Sequence, residues 1–309
     1  MLIILPPSET KSFPHTDSSS DSHIDDARHL NDSDVLNHCC RQTKGSSLNW
    51  DTLHFPSLTP IRRSIAHDLT HLCDVDNDED KAYARKILGL SARLDRERAA
   101  NATLLTNPTA PAITVYTGVL YDALAPSGRV ETVTKANYLC SPCTPLPLVA
   151  TNRLAIGSAL FGIVLAHDLI PHYRLSGDVV LAQSTIRRRW TTTLTDALVL
   201  WRERQDPHSN AVFDFRSGPY RSLGPVPGAT ELRIEAVDSQ GKRAIVSHFN
   251  KFYKGIVARH LATAPDCSQR SAAELLAHVI EEKVGFTAEV ERGIVKGTQG
   301  DLVTMLIPR

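Results

Sequence analysis

The sequence lacks the short motifs that identify most nucleotide-binding and hydrolytic folds. It contains no G-x-G-x-x-G, no G-x-x-x-x-G-K-[ST], no G-x-S-x-G and no H-E-x-x-H. Each of these motifs places a phosphate, a nucleophile or a metal at a fixed point of its fold. Their absence leaves the common nucleotide folds, α/β-hydrolase chemistry and zinc peptidases without support from the sequence.

The chain also lacks an excess of charge, a long apolar run and a dense set of cysteines. Lys+Arg and Asp+Glu each number 34, so the zero net charge does not favour nucleic acid or membrane as a partner of the whole chain. No run approaches the ~18 apolar residues of a transmembrane helix, and the start has no signal-peptide pattern. Six cysteines are too few for a disulfide scaffold. We expect a soluble, cytoplasmic protein, with a monomer favoured.

Metal-ligand patterns are equally sparse. Cys140 and Cys143 have the spacing of a metal or redox pair, but no second C-x-x-C accompanies them and the prolines around them do not favour a helix. Ordinary loop cysteines are therefore favoured over a metal site or a redox pair. The 13 histidines are scattered without a recognisable ligand pair. We expect no metal and no cofactor.

The pattern of the chain predicts an α/β protein with a mixed central sheet. Residues 2–5, 212–215, 230–237, 243–249 and 302–307 are the clearest strands, and the amphipathic segments 190–204, 250–262 and 271–286 are the clearest helices. Because tight turns join some neighbouring strands, we predict one compact mixed α+β domain over 1–309 and not a doubly wound fold. Residues 12–49, rich in Ser and Asp, are predicted to form a mobile acidic loop within it.

Hydroxyl residues, glycine and single cations follow several predicted strands. These groups are Ser8–Lys11 after Leu5, Tyr116–Gly118 after Val115, Arg216–Gly218 after Phe215, and Ser247–Lys251 after Val246. Backbone N–H groups, hydroxyls and one or two cations are what bind a phosphate, and sites gather where strands end. The alternative is that each group is an ordinary helix cap, since caps prefer the same residues.

Two segments carry local positive charge. The segment 239–265 contains Lys242, Arg243, Lys251, Lys254 and Arg259 and no acidic residue. It suits phosphate groups, with a solvated basic helix face as the alternative. The run from Arg187 to Trp190 could stack on and neutralise a nucleic-acid strand. A helix edge with the tryptophan packed inward is the favoured interpretation of that run.

Five segments, in order, resemble the YaaA family of peroxide stress proteins (DUF328/UPF0246), in its actinobacterial-type branch. They are LPPSETK, VYTGVLYDAL, GSALFGIV…DLIPHYRLS, DFRSGPYRSL and IVSHFNKFYKGIVARHLA, and the resemblance covers about residues 1–11 and 55–309. It implies a single mixed α/β domain of YaaA-like topology, with a basic cleft and a helix-hairpin-helix-like element, for which 86–105 is the candidate. It also implies a cytosolic role in limiting peroxide damage, linked to intracellular iron, and proposed binding to DNA.

The strand-end pattern and the resemblance together give a set of candidate ligand- or anion-binding residues and no assigned catalytic residue. The set is Ser8, Thr10, Lys11, Tyr116, Thr117, Gly118, Tyr173, Arg174, Arg216, Ser217, Tyr220, Ser247, Asn250, Lys251 and Lys254. The predicted function is that of a peroxide stress protein whose basic cleft binds DNA or another polyanion. The alternative is an enzyme acting on a nucleotide or another phosphorylated small molecule in the same cleft. Either function requires Lys11 to lie near residues 247–254.

Overall fold

The computed structural model describes residues 1–13, 46–124, 146, 148–245, 249–264 and 270–308. Most of the predicted acidic loop, the pair Cys140 and Cys143, and the candidate residue Ser247 lie outside these ranges. The prediction of a single domain over 1–309 includes those residues and stays a prediction.

Ten α-helices and an eight-stranded mixed sheet form the described part of the chain, which confirms the predicted α/β class. The helices are α1 (Thr59–Cys73), α2 (Asp78–Ile87), α3 (Asp95–Ala102), α4 (Ala112–Val115), α5 (Val119–Ala123), α6 (Leu148–Arg153), α7 (Ile186–Glu203), α8 (Gly218–Arg221), α9 (Phe249–Thr263) and α10 (Ala272–Val279). Short 3₁₀ turns lie at Trp50–Thr52, Pro56–Leu58 and Ala92–Leu94, and a π-helical turn, Ile280–Val284, follows α10. Among the described residues, no helix is both long enough and apolar enough to cross a bilayer.

The main sheet has parallel strands at its centre and antiparallel strands at its edges. Its strands are β1 (Leu2–Leu5), β3 (Leu154–Ser158), β4 (Gly162–Leu165), β8 (Val212–Asp214), β9 (Thr230–Val237), β10 (Arg243–Ile245), β11 (Thr287–Val295) and β12 (Gly300–Pro308). The order is β11-β12-β9-β8-β1-β3-β4, with β10 paired to β9. Two small antiparallel pairs complete the strands: β2 (Thr109–Pro111) with β5 (Leu169–Pro171), and β6 (Val180–Leu181) with β7 (Ser184–Thr185).

Strand β1 lies in the middle of this sheet, parallel to β3 on one side and to β8 on the other. All four of its residues are fully buried, as its unbroken apolar run requires of a strand covered on both faces. Each such side chain contributes about 1.5–3 kcal/mol of burial free energy. Because the three strands are parallel, they terminate at the same end of the sheet, which we call its carboxyl end.

Three parts of the sequence prediction were wrong. Of the strand predicted over 243–249, β10 covers only Arg243–Ile245, and Phe249 already belongs to α9. Residues before Tyr116 do not form a strand: they form the short helix α4, and Tyr116 pairs with Lys11 through an isolated β-bridge. The long edge strand β11 was missed altogether. Six of its nine residues are exposed, so no buried apolar face marks it in the sequence, and its pairing with β12 is what orders it as a strand.

Helix α9 packs against α5 at a very short distance. An added methyl group at Gly255 would lie 2.2 Å from the carbonyl oxygen of Leu120 and 2.7 Å from the Cβ of Ala123. A residue without a side chain is therefore required where the two helices meet. This contact places the first turn of α9 beside the segment that leads into α5.

We expect Gly255→Ala to lower the free energy of unfolding by about 1–3 kcal/mol, because the methyl group overpacks this contact. The destabilisation by the steric clash has to exceed the ~1 kcal/mol that alanine gains over glycine from its higher helix propensity. Urea denaturation of the variant measures the change. Gly218→Ala is the matched control, since an added methyl group there meets nothing within 4 Å. Equal stability of the two variants would contradict the close contact.

Candidate functional site

The chain leaves the sheet directly after β1 and is fastened by hydroxyl groups. Pro6 has no N–H to extend the ladder, so the strand ends there. The Ser8 hydroxyl then donates to the carbonyl of Thr10 at 2.6 Å and accepts from the backbone N–H of Thr117 at 2.9 Å. The hydroxyls of Thr10 and Thr117 are 2.9 Å apart. Two segments more than 100 residues apart in sequence therefore form one hydroxyl-rich wall.

A cleft of about 330 Å³ opens along this wall. It is lined by residues 6–10, residues 117–121 and Lys251, and we call it the strand-end cleft. Gly118 turns the chain into α5 with φ of 105°, a conformation that favours glycine. Lys251 is exposed in the first turn of α9 and adds a cation to the lining of the cleft. Residues 6–10, which precede Lys11, and Lys251 at the start of α9 therefore line one cleft, whereas Lys11 is not among the lining residues.

Behind the wall, buried hydroxyls form a hydrogen-bonded chain. The hydroxyl of Tyr173 lies 2.7 Å from that of Tyr116 and 2.8 Å from that of Ser158, which in turn accepts from the N–H of Phe161. Burial raises the pKa of Tyr116 and Tyr173 well above the ordinary value. Both phenols therefore stay protonated at neutral pH, and each keeps an O–H that can donate a hydrogen bond.

Lys11 lies against these two tyrosines. Its Nζ donates to the carbonyl of Ser8 at 3.1 Å and is 4.5 Å from the ring centre of Tyr173 and 5.2 Å from that of Tyr116. Burial, and then the positive charge of Arg174, lower the pKa of Lys11 to about 7. At neutral pH a large fraction of this amine is neutral, so it can accept a proton as well as donate one.

Arg174 fixes the turn from the outside. Its guanidinium donates to the carbonyl of Glu9 at 2.7 Å and to the Glu9 carboxylate at 3.2 Å. Its own backbone exchanges two hydrogen bonds of 2.8 Å with the side chain of Asn101. Arg174 therefore holds the loop through a partly exposed pair with Glu9, and Asn101, which was not predicted, holds Arg174.

A second group of charges lies buried where β8 ends. Arg216 donates to both oxygens of Asp214, at 2.9 and 2.6 Å, and to the carbonyl of Gly224. Lys254 is 8% exposed and donates to the carbonyl of Phe215 at 2.9 Å. Burial lowers the pKa of Lys254 to about 8. These bonds give Arg216 and Lys254 a structural role at the carboxyl end. Because Lys254 is buried and Lys251 is exposed, the two lysines do not form the shared basic face that the sequence suggested for phosphate groups.

The other candidates lie around this group. Ser217 is exposed at the start of α8, and the half-buried Tyr220 packs its ring on Gly177. Burial raises the pKa of Tyr220. Asn250 is half-buried in the first turn of α9, and its buried Oδ1 has no hydrogen-bond partner among the described residues. None of these three side chains lines the strand-end cleft.

The two segments predicted to be basic expose less positive charge than their sequences suggest. Arg243 pairs with Glu289 through two bonds of 2.6 and 2.8 Å, so an acidic residue from another strand neutralises it. Trp190 is fully buried and donates to the carbonyl of Ala159 at 2.8 Å, which confirms the inward-packed interpretation. Arg187 and Arg188 remain exposed beside a separate open cleft of about 510 Å³ along the start of α7.

Sequence reasoning missed groups that are brought to the site only by folding. Tyr121 stacks on Tyr116 and donates its hydroxyl to the carbonyl of Pro6 at 2.7 Å, which fixes the proline turn. Ser158 ends β3 and closes the tyrosine hydroxyl chain. The alternation of apolar and polar residues marks neither one, although both lie within family-like segments.

These features define a mixed α/β protein with a hydroxyl-lined cleft at the carboxyl end of its sheet. The sequence profile of the family described as "Peroxide stress protein YaaA" matches residues 1–275. The chain belongs to this family.

Relatives from actinobacteria support the assignment. A UPF0246 protein of Corynebacterium efficiens is 42% identical over 298 residues, covering 95% of this chain and 96% of the relative. A UPF0246 protein of Corynebacterium glutamicum is 39% identical, with 94% and 95% covered. A UPF0246 protein of Streptomyces coelicolor is 33% identical, with 80% and 87% covered.

We expect Lys11→Met to change how stability depends on pH. The folded-state pKa of Lys11, about 7, lies below its ordinary value of 10.5, so burying the charged amine costs stability fully below pH 7. This cost disappears as pH rises from 7 towards 10.5. The unfolding free energy of the variant, relative to that of the wild type, should therefore be highest at pH 6 and should fall progressively up to pH 10.

Urea denaturation at pH 6, 8 and 10 measures this difference. Lys251→Met, at an exposed position, controls for the loss of one lysine. A difference in unfolding free energy between Lys11→Met and the wild type that is the same at all three pH values would show that Lys11 is not titrating in this range.

Proposed function

We propose that this protein acts in the cytoplasmic response to peroxide and that its strand-end cleft binds a small phosphorylated ligand of nucleotide size. The observation that carries the proposal is the convergence of Ser8, Thr10, Thr117 and Lys251 on one cleft. Hydroxyls, backbone N–H groups and one exposed lysine are the groups that recognise a phosphate. The role in peroxide stress follows from membership of the family.

The size of the cleft favours a small ligand over a nucleic-acid duplex. Pockets for small molecules and cofactors have volumes of about 300–1,000 Å³. The strand-end cleft, at about 330 Å³, lies at the lower end of that range. It accommodates a phosphate with an attached sugar or base fragment, whereas a duplex needs an extended surface.

The charges at the cleft are suited to one phosphate group. Lys251 lies in the first turn of a 15-residue helix, where the helix dipole disfavours a cation unless an anion is bound. A bound phosphate would remove that penalty and gain a charge-assisted hydrogen bond. Lys11 lies behind the wall, beside Ser8, and supplies an amine that exchanges protons near pH 7.

DNA or another polyanion is the second candidate, favoured by the exposed pair Arg187 and Arg188. Several cations that the sequence offered for phosphate contacts are engaged elsewhere: Arg243 with Glu289, and Lys254 with the carbonyl of Phe215. With these two cations engaged, the segment 239–265 offers fewer phosphate contacts than its sequence suggests, which predicts a shallower dependence of binding on salt. Substitution of Lys251 should therefore weaken binding of a small ligand in the cleft, whereas substitution of Arg187 and Arg188 should weaken binding of DNA.

We expect Lys251→Ala to weaken binding of a phosphorylated ligand by at least ~10-fold, because a hydrogen bond to a charged group contributes about 1.5–3 kcal/mol. The melting temperature should stay unchanged, since the side chain is exposed. Isothermal titration with the nucleotide or sugar phosphate that most raises the melting temperature in a screen measures the affinity. Lys242→Ala, exposed in the same basic segment, is the matched control and should bind as the wild type.

A second arm of the experiment separates the two candidates. A DNA duplex and a single strand are titrated at low and high salt against the wild type, Lys251→Ala and a variant carrying both Arg187→Ala and Arg188→Ala. If no phosphorylated small molecule binds and DNA binding is lost in the arginine variant alone, the proposed cleft function is wrong and the polyanion candidate replaces it.

A further inference from the structure

A cluster of two histidines and one aspartate lies outside every group discussed so far. His167 and Asp168 occupy the turn between β4 and β5, and His54 follows the 3₁₀ turn Trp50–Thr52, 114 positions before Asp168. One potential ligand atom from each residue lies within 4.8 Å of the other two. Asp168 is buried, His167 is half-buried and His54 is exposed, so the cluster has one side open to solvent.

The carboxylate of Asp168 is held in place from two sides. Its Oδ2 accepts from the N–H of Leu165 at 2.8 Å, and its Oδ1 accepts from the N–H of His54 at 3.2 Å and lies 2.6 Å from His54 Nδ1. The hydrogen bonds from backbone N–H groups are sufficient for an aspartate that only stabilises a turn. The additional contact with an imidazole means that the carboxylate also orients a side chain that can bind a metal.

His167 provides an observation independent of that pair. Its Nδ1 is buried and has no hydrogen-bond partner among the described residues. The rings of His54 and His167 meet edge to face with centres 4.8 Å apart. A buried imidazole nitrogen without a hydrogen-bond partner costs free energy. Coordination of a metal by His167 would give this imidazole a partner that no described protein group provides.

We propose that His54, His167 and Asp168 bind a divalent transition metal of the zinc type with one coordination position left open. Metal–nitrogen and metal–oxygen bonds of about 2.0–2.2 Å place neighbouring ligand atoms about 3–4 Å apart, within the separation present here. Because His54 is exposed, its ring can rotate away from the hydrogen bond with Asp168 to admit the ion. Three protein ligands and one exchangeable position form an accessible site.

The donor set and a nearby charge select the class of metal. Two imidazoles favour Zn²⁺, Co²⁺, Ni²⁺ or Cu²⁺ over Mg²⁺ and Ca²⁺, which prefer oxygen ligands. The positive charge of Arg62, buried and bonded to the carbonyls of Phe161 and Ile163, also acts on Asp168. That charge opposes a purely electrostatic cation site, so affinity has to come from coordination by the two imidazoles.

The test uses a background that removes a competing surface pair. His67 and His71 lie one turn apart on α1 with stacked rings, and such a pair can bind a transition metal by itself. In a His67→Ala/His71→Ala protein, Zn²⁺ is titrated calorimetrically and bound Co²⁺ is followed by visible absorption. His54→Ala and His167→Ala are then added singly to that background, and histidines elsewhere in the chain are the same in every sample.

We expect each added variant to weaken Zn²⁺ binding at one site by at least ~100-fold and to abolish the Co²⁺ absorption of that site. Both histidine variants should fold, because neither side chain is fully buried, and thermal melts without metal check this. Asp168→Asn is measured as well, but it also disturbs a turn and does not decide the question. Unchanged Zn²⁺ affinity in either single histidine variant overturns the three-ligand site.

Discussion

The termination of β1 is the constraint on which the rest of the site depends. The strand is buried between two parallel neighbours, so its end is fixed in the middle of the sheet and not at a free edge. Pro6 removes the donor that would extend the ladder, and the phenol of Tyr121 bonds the carbonyl of Pro6. The next residues leave the sheet, and the hydroxyls of Ser8 and Thr10 bond to Thr117 while the carbonyl of Glu9 accepts from Arg174. The hydroxyl-lined wall is therefore a consequence of where an apolar strand stops.

The cations of this region differ in how deeply they are buried, and their roles differ accordingly. Arg216 and Lys254 are enclosed and bonded to protein oxygen atoms, so they stabilise the end of β8. Lys251, three residues before Lys254, is exposed at the cleft. Lys11 is intermediate: two tyrosine rings and a carbonyl surround its amine, and its pKa falls to about 7. Lys251 and Lys254 occupy neighbouring positions on α9, so burial of Lys254 against the end of β8, and not the rotation of the helix, separates the structural lysine from the exposed one.

The strand-end cleft and the histidine cluster use different parts of the fold. The cleft forms where central strands end, the position at which open α/β sheets usually place their sites. The cluster forms at an edge, in the turn after β4, where backbone N–H groups hold Asp168 and a distant 3₁₀ turn brings His54 to it. Each arrangement depends on hydrogen bonds between segments that are far apart in sequence.

The sequence by itself determined the α/β class, the buried first strand with its proline stop, the helix after residue 249 and the family. These features depend on local apolar patterns, on proline chemistry and on ordered motifs, all of which can be read along the chain. Tertiary structure alone decided that Tyr116 follows a helix, that β11 is a strand, that Lys254 is buried while Lys251 is not, and that His54 meets Asp168. The physical reason is the same in each case. Strand pairing, burial and contacts between side chains arise between segments that are distant in sequence, and no local pattern encodes which segments will meet.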